Sequence, residues 1–430
     1  MLLTKKRGQR SWLILRVHVN HWRSPTSAIN PFEDPLLEVK AIKFKHRCPR
    51  KLGVDASVAD DVDVSQRILI HCDLDAFFAA VETLHHGLDE SVPLIIGSDP
   101  KQGRGRGIVS TCNYAARQYG VRSAMPISEA WRRCPGAPFG HARYIRGTRG
   151  LYTRASRRVM AILKAHATAF EQASIDEAYL DVTEAVNGDW DLALALTKSL
   201  QHDIVEALGL TASFGLGPTR IIAKMSSEVN KPNGVHRVLP DEVEAFFEGR
   251  SLREIPGIGP KRATQLAEWG YTTADELRAL GELSLARLAG ERFASWFMEV
   301  VEGESSRVVS PLRSRKSIGK EHTFERDLDD HEYVLDRLEE LVELVMNRAS
   351  ELGVSGRLAE VKVRYTGFET HASGRSIPVA MDDPAVFKRL ARTLFANTID
   401  TEKSVRLIGF RLGHLEEPSS RQTTLFKEEE

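Results

Sequence analysis

The chain has 430 residues, of which 42% are hydrophobic and 27% charged, and its 59 basic side chains equal its 59 acidic ones in number. This length favours several domains over a single core, and no apolar run approaches the roughly 18 residues that a membrane-spanning helix requires. The four cysteines show no CxxC spacing. The composition therefore excludes a disulfide scaffold and a membrane protein, and it favours a cytoplasmic protein.

The charge is distributed unevenly along the chain. Residues 1–52 carry 12 Lys and Arg against 3 Asp and Glu, a net charge of +9 that leaves −9 for the remainder. Residues 1–64 mix basic clusters, prolines and an acidic end without a sustained hydrophobic period. We expect this segment to be a flexible extension or sequence upstream of the true start codon. Because the whole chain is neutral, only local clusters can indicate a nucleic-acid partner.

Ordered structure is predicted to begin at "RILIHCDLD", residues 67–75. Its apolar run indicates a buried strand. The spacing that follows predicts a helix whose apolar face is formed by Phe77, Ala80, Val81 and Leu84. Asp75 is expected to cap this helix. Two carboxylates, Asp73 and Asp75, thus lie where a buried strand meets a helix, and acids in such a position usually neutralise, pair or hold a cation.

An alternating α and β region continues to about residue 240. A glycine- and arginine-rich loop (97–107) precedes the strand "IVSTCNY" and the helix "AARQYG". The segment "AFEQASIDEAYLDVT" (169–183) predicts two strands that meet near a turn at Asp176 and Glu177. The next predicted elements are a helix at about 190–208, the strand "TASFGLG" and a helix at about 218–229.

The second half of the chain predicts two further units. From residue 241 to about 303 only helical patterns appear, which indicates a small all-helical domain. A linker (306–317) leads into a β/α unit with strands near 316–324, 358–368, 374–380 and 404–415 and helices near 330–352 and 384–398. The tail after this unit is polar except for Leu425 and Phe426.

Asp73, Asp176 and Glu177 could together form a metal site. If their strands are neighbours in one sheet, three carboxylates meet at one edge, and two-metal phosphoryl transfer needs such acids around cations roughly 3.5–4 Å apart. Mg²⁺ suits this donor set because it takes oxygen ligands and keeps positions open for substrate phosphates. The alternative is that Asp176 and Glu177 are solvated turn residues, as an isolated Asp-Glu pair usually is.

Several long motifs, in this order and spacing, resemble those of the Y-family DNA polymerases of the DinB type. They are "IHCDLDAFFAAVE", "STCNYAARQYGVRSAMP", "ASIDEAYLDVT", "AKMSSEVNKPNG", "IPGIGPKRATQL" and "RKSIGKEHTF". The resemblance covers about residues 67–415. It implies an error-prone translesion DNA polymerase that adds deoxynucleotides to a primer 3′-hydroxyl and has no proofreading activity.

The same resemblance implies an α+β, multidomain, right-hand fold, and the enzyme is expected to be a monomer. The expected parts are a palm (65–76 and 143–239), small fingers (77–142), a helical thumb with a helix-hairpin-helix (240–304), a β/α little finger (305–415) and a disordered tail (416–430).

The catalytic centre is assigned by the same resemblance. Asp73, Asp176 and Glu177 are the implied catalytic residues and, with the Leu74 backbone carbonyl, the implied ligands of two Mg²⁺ ions. Asp75 belongs to the first motif without being an expected ligand, and helix capping is the preferred interpretation of this residue.

The resemblance also implies nucleotide contacts. Tyr114 and Arg117, which share a helix face at i, i+3 spacing, and Lys224 are the implied triphosphate contacts. Phe78 matches the steric gate, an aromatic ring beneath the incoming sugar that leaves no room for a ribose 2′-hydroxyl. The alternative for Phe78 is a core position beside Phe77, but helical phase points the two rings in different directions.

DNA contacts are implied in two regions. The segment "IPGIGPKRATQLAEWG" resembles a helix-hairpin-helix, whose turn can present backbone N–H groups to a phosphate. In "AEVKVRY" the basic side chains alternate with Val361 and Val363, which suits a sheet that packs by one face and follows DNA with the other; a merely solvated face is the alternative. The implied DNA-binding residues are Gly257, Gly259, Lys261, Lys316, Lys362 and Arg364.

The tail segment "QTTLF" resembles the peptide that binds the sliding clamp, with Gln422, Leu425 and Phe426 as its contacts. The expected partners are therefore primed template DNA, dNTPs and the clamp, without a membrane. Two rival functions are a nuclease that uses the same metals and a catalytically inactive, clamp-tethered DNA-binding protein of polymerase ancestry.

Overall fold

A computed structural model of the chain describes residues 67–310 and 314–417. The predicted extension (1–64) and the predicted clamp-binding peptide (422–426) lie outside this part of the chain. Among the described residues, no helix combines the length and the apolar composition needed to cross a bilayer.

The elements of the first half of the chain are β1 (Leu69–Leu74), α1 (Phe77–His86), β2 (Leu94–Gly97), β3 (Val109–Cys112), α2 (Tyr114–Gln118), α3 (Ile127–Arg133), β4 (Arg143–Ile145), α4 (Leu151–Lys164), β5 (Ala169–Gln172), β6 (Glu177–Asp181), α5 (Trp190–Leu208), β7 (Ala212–Gly217), α6 (Arg220–Val229) and β8 (Val235–Arg237). Those of the second half are α7 (Val243–Phe247), α8 (Pro260–Glu268), α9 (Ala274–Arg278), α10 (Glu282–Ala289), α11 (Glu291–Val301), β9 (Ser317–Leu328), α12 (His331–Glu351), β10 (Ser355–Tyr365), β11 (Thr370–Met381), α13 (Pro384–Thr398) and β12 (Val405–Glu416).

A five-stranded sheet in the order β5-β6-β1-β7-β8 forms the centre of the first half. Strand β1 lies in its middle and pairs antiparallel with both β6 and β7. Successive residues of a strand point to opposite faces. Ile70 and Cys72 therefore join a core with α1, α4 and α5, whereas Leu69 and His71 face α6. One face of this sheet, which lies in the expected palm, is thus covered by α1, α4 and α5, and the other face is covered by α6.

A second, three-stranded sheet in the order β3-β2-β4 carries the short helices α2 and α3. Its core is small and contains Ile95, Val109, Cys112, Ile127 and Ala130. Strand β4 follows the expected boundary between fingers and palm at residue 142 but pairs with β2, so it extends the sheet of the fingers.

The helices α7 to α11 form the predicted all-helical unit. Their core is continuous with α6, because Ile222 and Met225 of that helix pack among thumb residues such as Phe247, Leu266 and Phe297. The thumb therefore rests on the same helix that covers one face of the central sheet.

The last unit is a four-stranded antiparallel sheet in the order β11-β10-β12-β9, with α12 and α13 packed on it. Its strands and helices fall where the hydrophobic pattern predicts them, and the main differences are that β9 continues to Leu328 and that β11 begins at Thr370. The α+β architecture with four units agrees with the predicted fold class.

Candidate active site

The end of β1 brings two of the predicted metal ligands face to face. Asp73 and Glu177 are directly paired across the antiparallel strands β1 and β6. Paired residues of an antiparallel ladder project from the same face of the sheet. The backbone N–H of Leu74 donates to the carbonyl oxygen of Asp176 at 3.0 Å, so the turn that carries Asp176 is fixed beside them.

The side chain of Asp176 is held by its own turn. The Ser174 hydroxyl oxygen accepts from the backbone N–H groups of Asp176 at 3.1 Å and Glu177 at 3.0 Å, and the same hydroxyl donates to the Asp176 carboxylate. Within residues 67–310 and 314–417, no three Asp, Glu, His or Cys side chains are gathered closely enough to hold a metal ion. The three acids share one edge of the sheet without forming a closed cluster.

Two lysines neutralise the paired carboxylates. Lys231 Nζ lies 2.9 Å from Asp73 Oδ2, and Lys224 Nζ lies 2.7 Å from Glu177 Oε2. Lys224 is a predicted nucleotide contact, whereas Lys231 was missed by the sequence reasoning. The signal available for Lys231 was its position in the same motif, "AKMSSEVNKPNG", directly before a proline and a turn. The negative charge that holds these two ammonium groups would also attract metal cations to the same place.

The environments of the two acids shift their pKa values in opposite directions. Burial raises the pKa of Asp73 to about 7, against the opposing charge of Lys231. The His71 ring and the Lys224 ammonium lower the pKa of Glu177 to about 2, although burial opposes them. A further cation near Asp73 would favour its ionised form.

Helix α6 can bring Lys224, and Lys231 just after its end, to the acids because it lies unusually close to the sheet. A Cβ on Gly215 of β7 would lie 2.1 Å from the Ala223 carbonyl oxygen and 2.2 Å from the Ser227 backbone nitrogen. Glycine at this strand position permits that approach. His71, which is fully buried, fills the space beside it, with Nδ1 2.8 Å from the Ser227 hydroxyl and Nε2 3.7 Å from Glu177 Oε2.

The prediction that Asp75 caps α1 is wrong. The residue at the cap is Ala76, in a left-handed conformation (φ 44°), and no side chain bonds to the free backbone N–H groups there. Asp75 is buried instead, and its carboxylate accepts from the Ser213 hydroxyl at 2.7 Å and the Asn233 backbone N–H at 2.8 Å. It thereby ties the loop after Lys231 to the sheet.

Tyr114 and Arg117 lie together on helix α2 of the fingers. Tyr114 begins α2 after its cap Asn113, and the Arg117 guanidinium lies over the Tyr114 ring at 4.6 Å. Burial raises the pKa of the Tyr114 phenol, Asp75 acts in the same direction, and Lys231 opposes them, so this phenol lies within electrostatic reach of the site.

Phe77 and Phe78 are separated as helical phase predicts. Phe77 is buried in the core beneath the central sheet, whereas Phe78 is only partly buried. The Phe78 ring stacks on Tyr152 of α4, with centroids 4.1 Å apart and planes at 12°. One face of the proposed gate is therefore covered by a second aromatic ring.

The predicted helix-hairpin-helix turn is formed by the thumb. Gly257 has φ 110°, and a Cβ there would lie 2.6 Å from the Trp296 ring, so both backbone and space require glycine. Gly259 caps α8, which begins with Pro260 and carries exposed Lys261 in its first turn. Phosphate binding by this turn stays a prediction.

The predicted alternation in β10 is observed. Val361 and Val363 are buried, and Lys362 and Arg364 lie on the opposite, partly exposed face. Lys362 Nζ, however, bonds to Glu321 at 2.8 Å, and Arg364 bonds to the Thr370 hydroxyl at 2.7 Å. This face is thus mixed in charge, while Lys316, just before β9, is exposed.

Comparison with known sequences identifies the family. The profile of the impB/mucB/samB family matches residues 72–228, its C-terminal domain matches 315–425, and a SAM-like helix-hairpin-helix tandem matches 249–290. DNA polymerase IV of Methanoculleus marisnigri is 40% identical over 363 residues, which are 84% of this chain and 97% of that protein. DNA polymerase IV of Streptococcus gordonii is 37% identical over 348 residues, 81% and 96% of the two chains.

Solved structures give the same result. A Y-family DNA polymerase chimera, Dbh-Dpo4(243-245)-Dbh, superposes with a TM-score of 0.72 at 29% identity, and the match covers 81% of this chain and 99% of the chimera. An insertion ternary complex of Dbh DNA polymerase has a TM-score of 0.59 at 28% identity, with 80% and 98% covered.

The fold is thus that of a right-hand polymerase with palm, fingers, thumb and little finger. The chain belongs to the Y-family of DNA polymerases, in the branch of the DNA polymerase IV relatives. This membership confirms the predicted class, a DNA-directed DNA polymerase of translesion synthesis.

Proposed function

We propose that this chain extends the primer strand of primed template DNA with deoxynucleotides by two-metal phosphoryl transfer. The observation that supports the reaction type is the pairing of Asp73 with Glu177, with Asp176 in the adjoining turn. The rival nuclease and the inactive DNA-binding protein have no observation of their own that favours them.

The residues at the sheet edge fit Mg²⁺. Their carboxylates and the Leu74 carbonyl are hard oxygen donors, which this ion prefers, and two of the acids already attract ammonium groups. Asp73, Leu74, Asp176 and Glu177 would hold the ions. In that position the ions would supply activation of the primer 3′-hydroxyl and stabilisation of the leaving pyrophosphate.

The remaining side chains of the site bind and orient the nucleotide in this proposal. Lys224 and Lys231 balance the acids, and a triphosphate that arrives with its own cations can take over these ammonium groups. Tyr114 and Arg117 reach the triphosphate from the fingers; this role is supported by the contact between their ring and guanidinium and by the charges of the site that act on Tyr114. Phe78 excludes the 2′-hydroxyl of a ribonucleotide.

The polymerase should be error-prone and lack proofreading. Only residues 77–142 are expected to form the fingers, which is too little for a large domain that closes around the new base pair. Discrimination then rests mainly on pairing energy. All the strands and helices in the described ranges belong to the four units, which supports this expectation.

We propose further properties from the sequence. Gln422, Leu425 and Phe426 dock the tail on the sliding clamp, since adjacent apolar residues in a polar segment need a partner groove. The enzyme acts in the cytoplasm as a monomer, on DNA gripped by the thumb turn and the little finger.

Primer extension with Mg²⁺ and dNTPs tests the reaction type. The variant Asp176→Asn should abolish extension while leaving DNA binding and the melting temperature near those of the unaltered chain. Asp382→Asn, which changes an exposed acid of the little finger, is the matched control and should extend normally. Shortening of the primer would support the nuclease, and binding without any change in primer length would support the inactive protein.

A further inference from the structure

Helix α1 carries a fully buried carboxylate, Glu82, that the proposed reaction does not use. Its Oε1 accepts from the Thr148 backbone N–H at 2.6 Å and the Tyr152 hydroxyl at 2.5 Å. Its Oε2 accepts from the Thr148 hydroxyl at 3.0 Å and lies 3.1 Å from His86 Nε2. Both oxygens are therefore occupied by donors, which is what the burial of a carboxylate requires.

The network around Glu82 leads directly to the proposed sugar gate. Tyr152, whose hydroxyl bonds to Glu82, stacks its ring on Phe78. Phe78 and Glu82 are four residues apart on α1 and therefore lie on one side of the helix, one turn from each other. The helix thus presents the gate ring and, one turn later, the carboxylate that holds the ring's stacking partner.

This arrangement restrains the Phe78 ring on the side that is covered by Tyr152. Tyr152 is fixed at two points, by the Glu82 carboxylate at its hydroxyl and by stacking at its ring. Thr148 is held by two hydrogen bonds to the same carboxylate, which anchors the loop just before α4. If Tyr152 could move away, Phe78 could follow it and leave space for an additional oxygen atom beneath the sugar.

We infer that Glu82 is a positioning residue for sugar selection: with Thr148 it holds Tyr152, and Tyr152 holds the Phe78 ring against a ribonucleotide 2′-hydroxyl. The inference rests on the proposed function, in which Phe78 is the gate. Exclusion of a single hydroxyl depends on ring placement to a fraction of an ångström, so the supporting residues decide how strict the gate is.

The decisive variant is Tyr152→Phe, which keeps the stacked ring and removes only the bond to Glu82. We expect the ratio of kcat/KM for a dNTP to that for the matching rNTP to fall about tenfold, the effect of one hydrogen bond to a charged group. The change should come from better use of the rNTP, with kcat/KM for the dNTP nearly unchanged. Glu82→Gln should act in the same direction.

Tyr144→Phe is the matched control. Tyr144 also donates its hydroxyl to a neighbour, the Cys134 carbonyl oxygen at 2.9 Å, and its ring packs in a different core cluster. The ratio of kcat/KM for the dNTP to that for the rNTP in this variant should equal that of the unaltered enzyme. In a Phe78→Ala background, Tyr152→Phe should produce no further loss of selectivity, because the ring that it positions is absent.

The outcomes distinguish a failure of this inference from a failure of the proposed polymerase function on which it rests. Absence of primer extension by the unaltered chain would overturn both, and normal rNTP exclusion by Phe78→Ala would overturn the gate and with it the role of Glu82. If extension and gate are both verified, an unchanged ratio in Tyr152→Phe, or an equal loss of dNTP and rNTP use, overturns the inference alone. Tyr152→Phe decides the question even where Glu82→Gln fails to fold.

Discussion

Replacing Lys231 by methionine should change nucleotide binding and metal binding in opposite directions. Lys231 Nζ lies 2.9 Å from Asp73 Oδ2, and the lysine side chain is only 19% exposed. The pair is therefore shielded from water more than a surface ion pair, so its loss should be measurable. Methionine keeps the length of the aliphatic chain and removes the charge.

For the nucleotide, the variant loses one charge-assisted contact to the triphosphate. Such a contact contributes about 1.5–3 kcal/mol, which corresponds to a loss of about 10- to 150-fold in kcat/KM for the dNTP. For the metal, the variant removes a cation that competes for Asp73, so divalent ions should bind more tightly in the absence of nucleotide. Both effects come from the loss of the same ammonium group.

The assay has two parts. Single-nucleotide insertion at saturating Mg²⁺ gives kcat/KM for the dNTP, and Mn²⁺ binding to the nucleotide-free protein, followed by electron paramagnetic resonance, gives metal affinity without relying on activity. Lys198→Met, which changes an exposed lysine of α5, is the matched control for both. An unchanged kcat/KM, or weaker Mn²⁺ binding in Lys231→Met, would refute the reasoning.

Three further predictions concern the whole reaction. Changing Phe78→Ala should raise ribonucleotide incorporation by orders of magnitude with much less effect on dNTP use; continued exclusion of ribonucleotides would locate the gate elsewhere. Deletion of residues 421–430 should leave distributive synthesis on short primed DNA unchanged and remove stimulation by the sliding clamp, because a flexible tether acts through effective concentration; full stimulation of the truncated protein would contradict this. The error rate on undamaged template should exceed that of proofreading replicative enzymes, measured by sequencing of copied DNA, and equal fidelity would count against the small, open fingers.

Local patterns in the sequence predicted the order of the strands and helices and the phase of individual side chains. The apolar run before Asp73 became the central strand, and the helical period distinguished Phe77, which is buried in the core, from Phe78, which is only partly buried and packs against it. These features depend on neighbours within a few residues, which fix the period of burial.

Features that depend on distant partners could not be predicted in this way. Asp75 was assigned to the nearest helix, but its carboxylate is bound by Ser213 and Asn233, which are 138 and 158 residues away. The bonds between Glu82 and Thr148 likewise join positions 66 residues apart. A carboxylate next to a helix can either cap that helix or be buried with hydrogen bonds to distant residues, and only the packed structure shows which of the two occurs.

The positions of the charges in the candidate active site depend on backbone packing as much as on the charged residues themselves. Lys224 lies on α6 and Lys231 follows it, and both meet their acids because α6 lies against the sheet at Gly215. Any side chain at Gly215 would collide with the backbone of α6, not with a flexible side chain that could move aside. The helix would have to shift, and both ammonium groups would shift with it. An uncharged glycine of the central sheet therefore helps to set the electrostatics of the candidate active site.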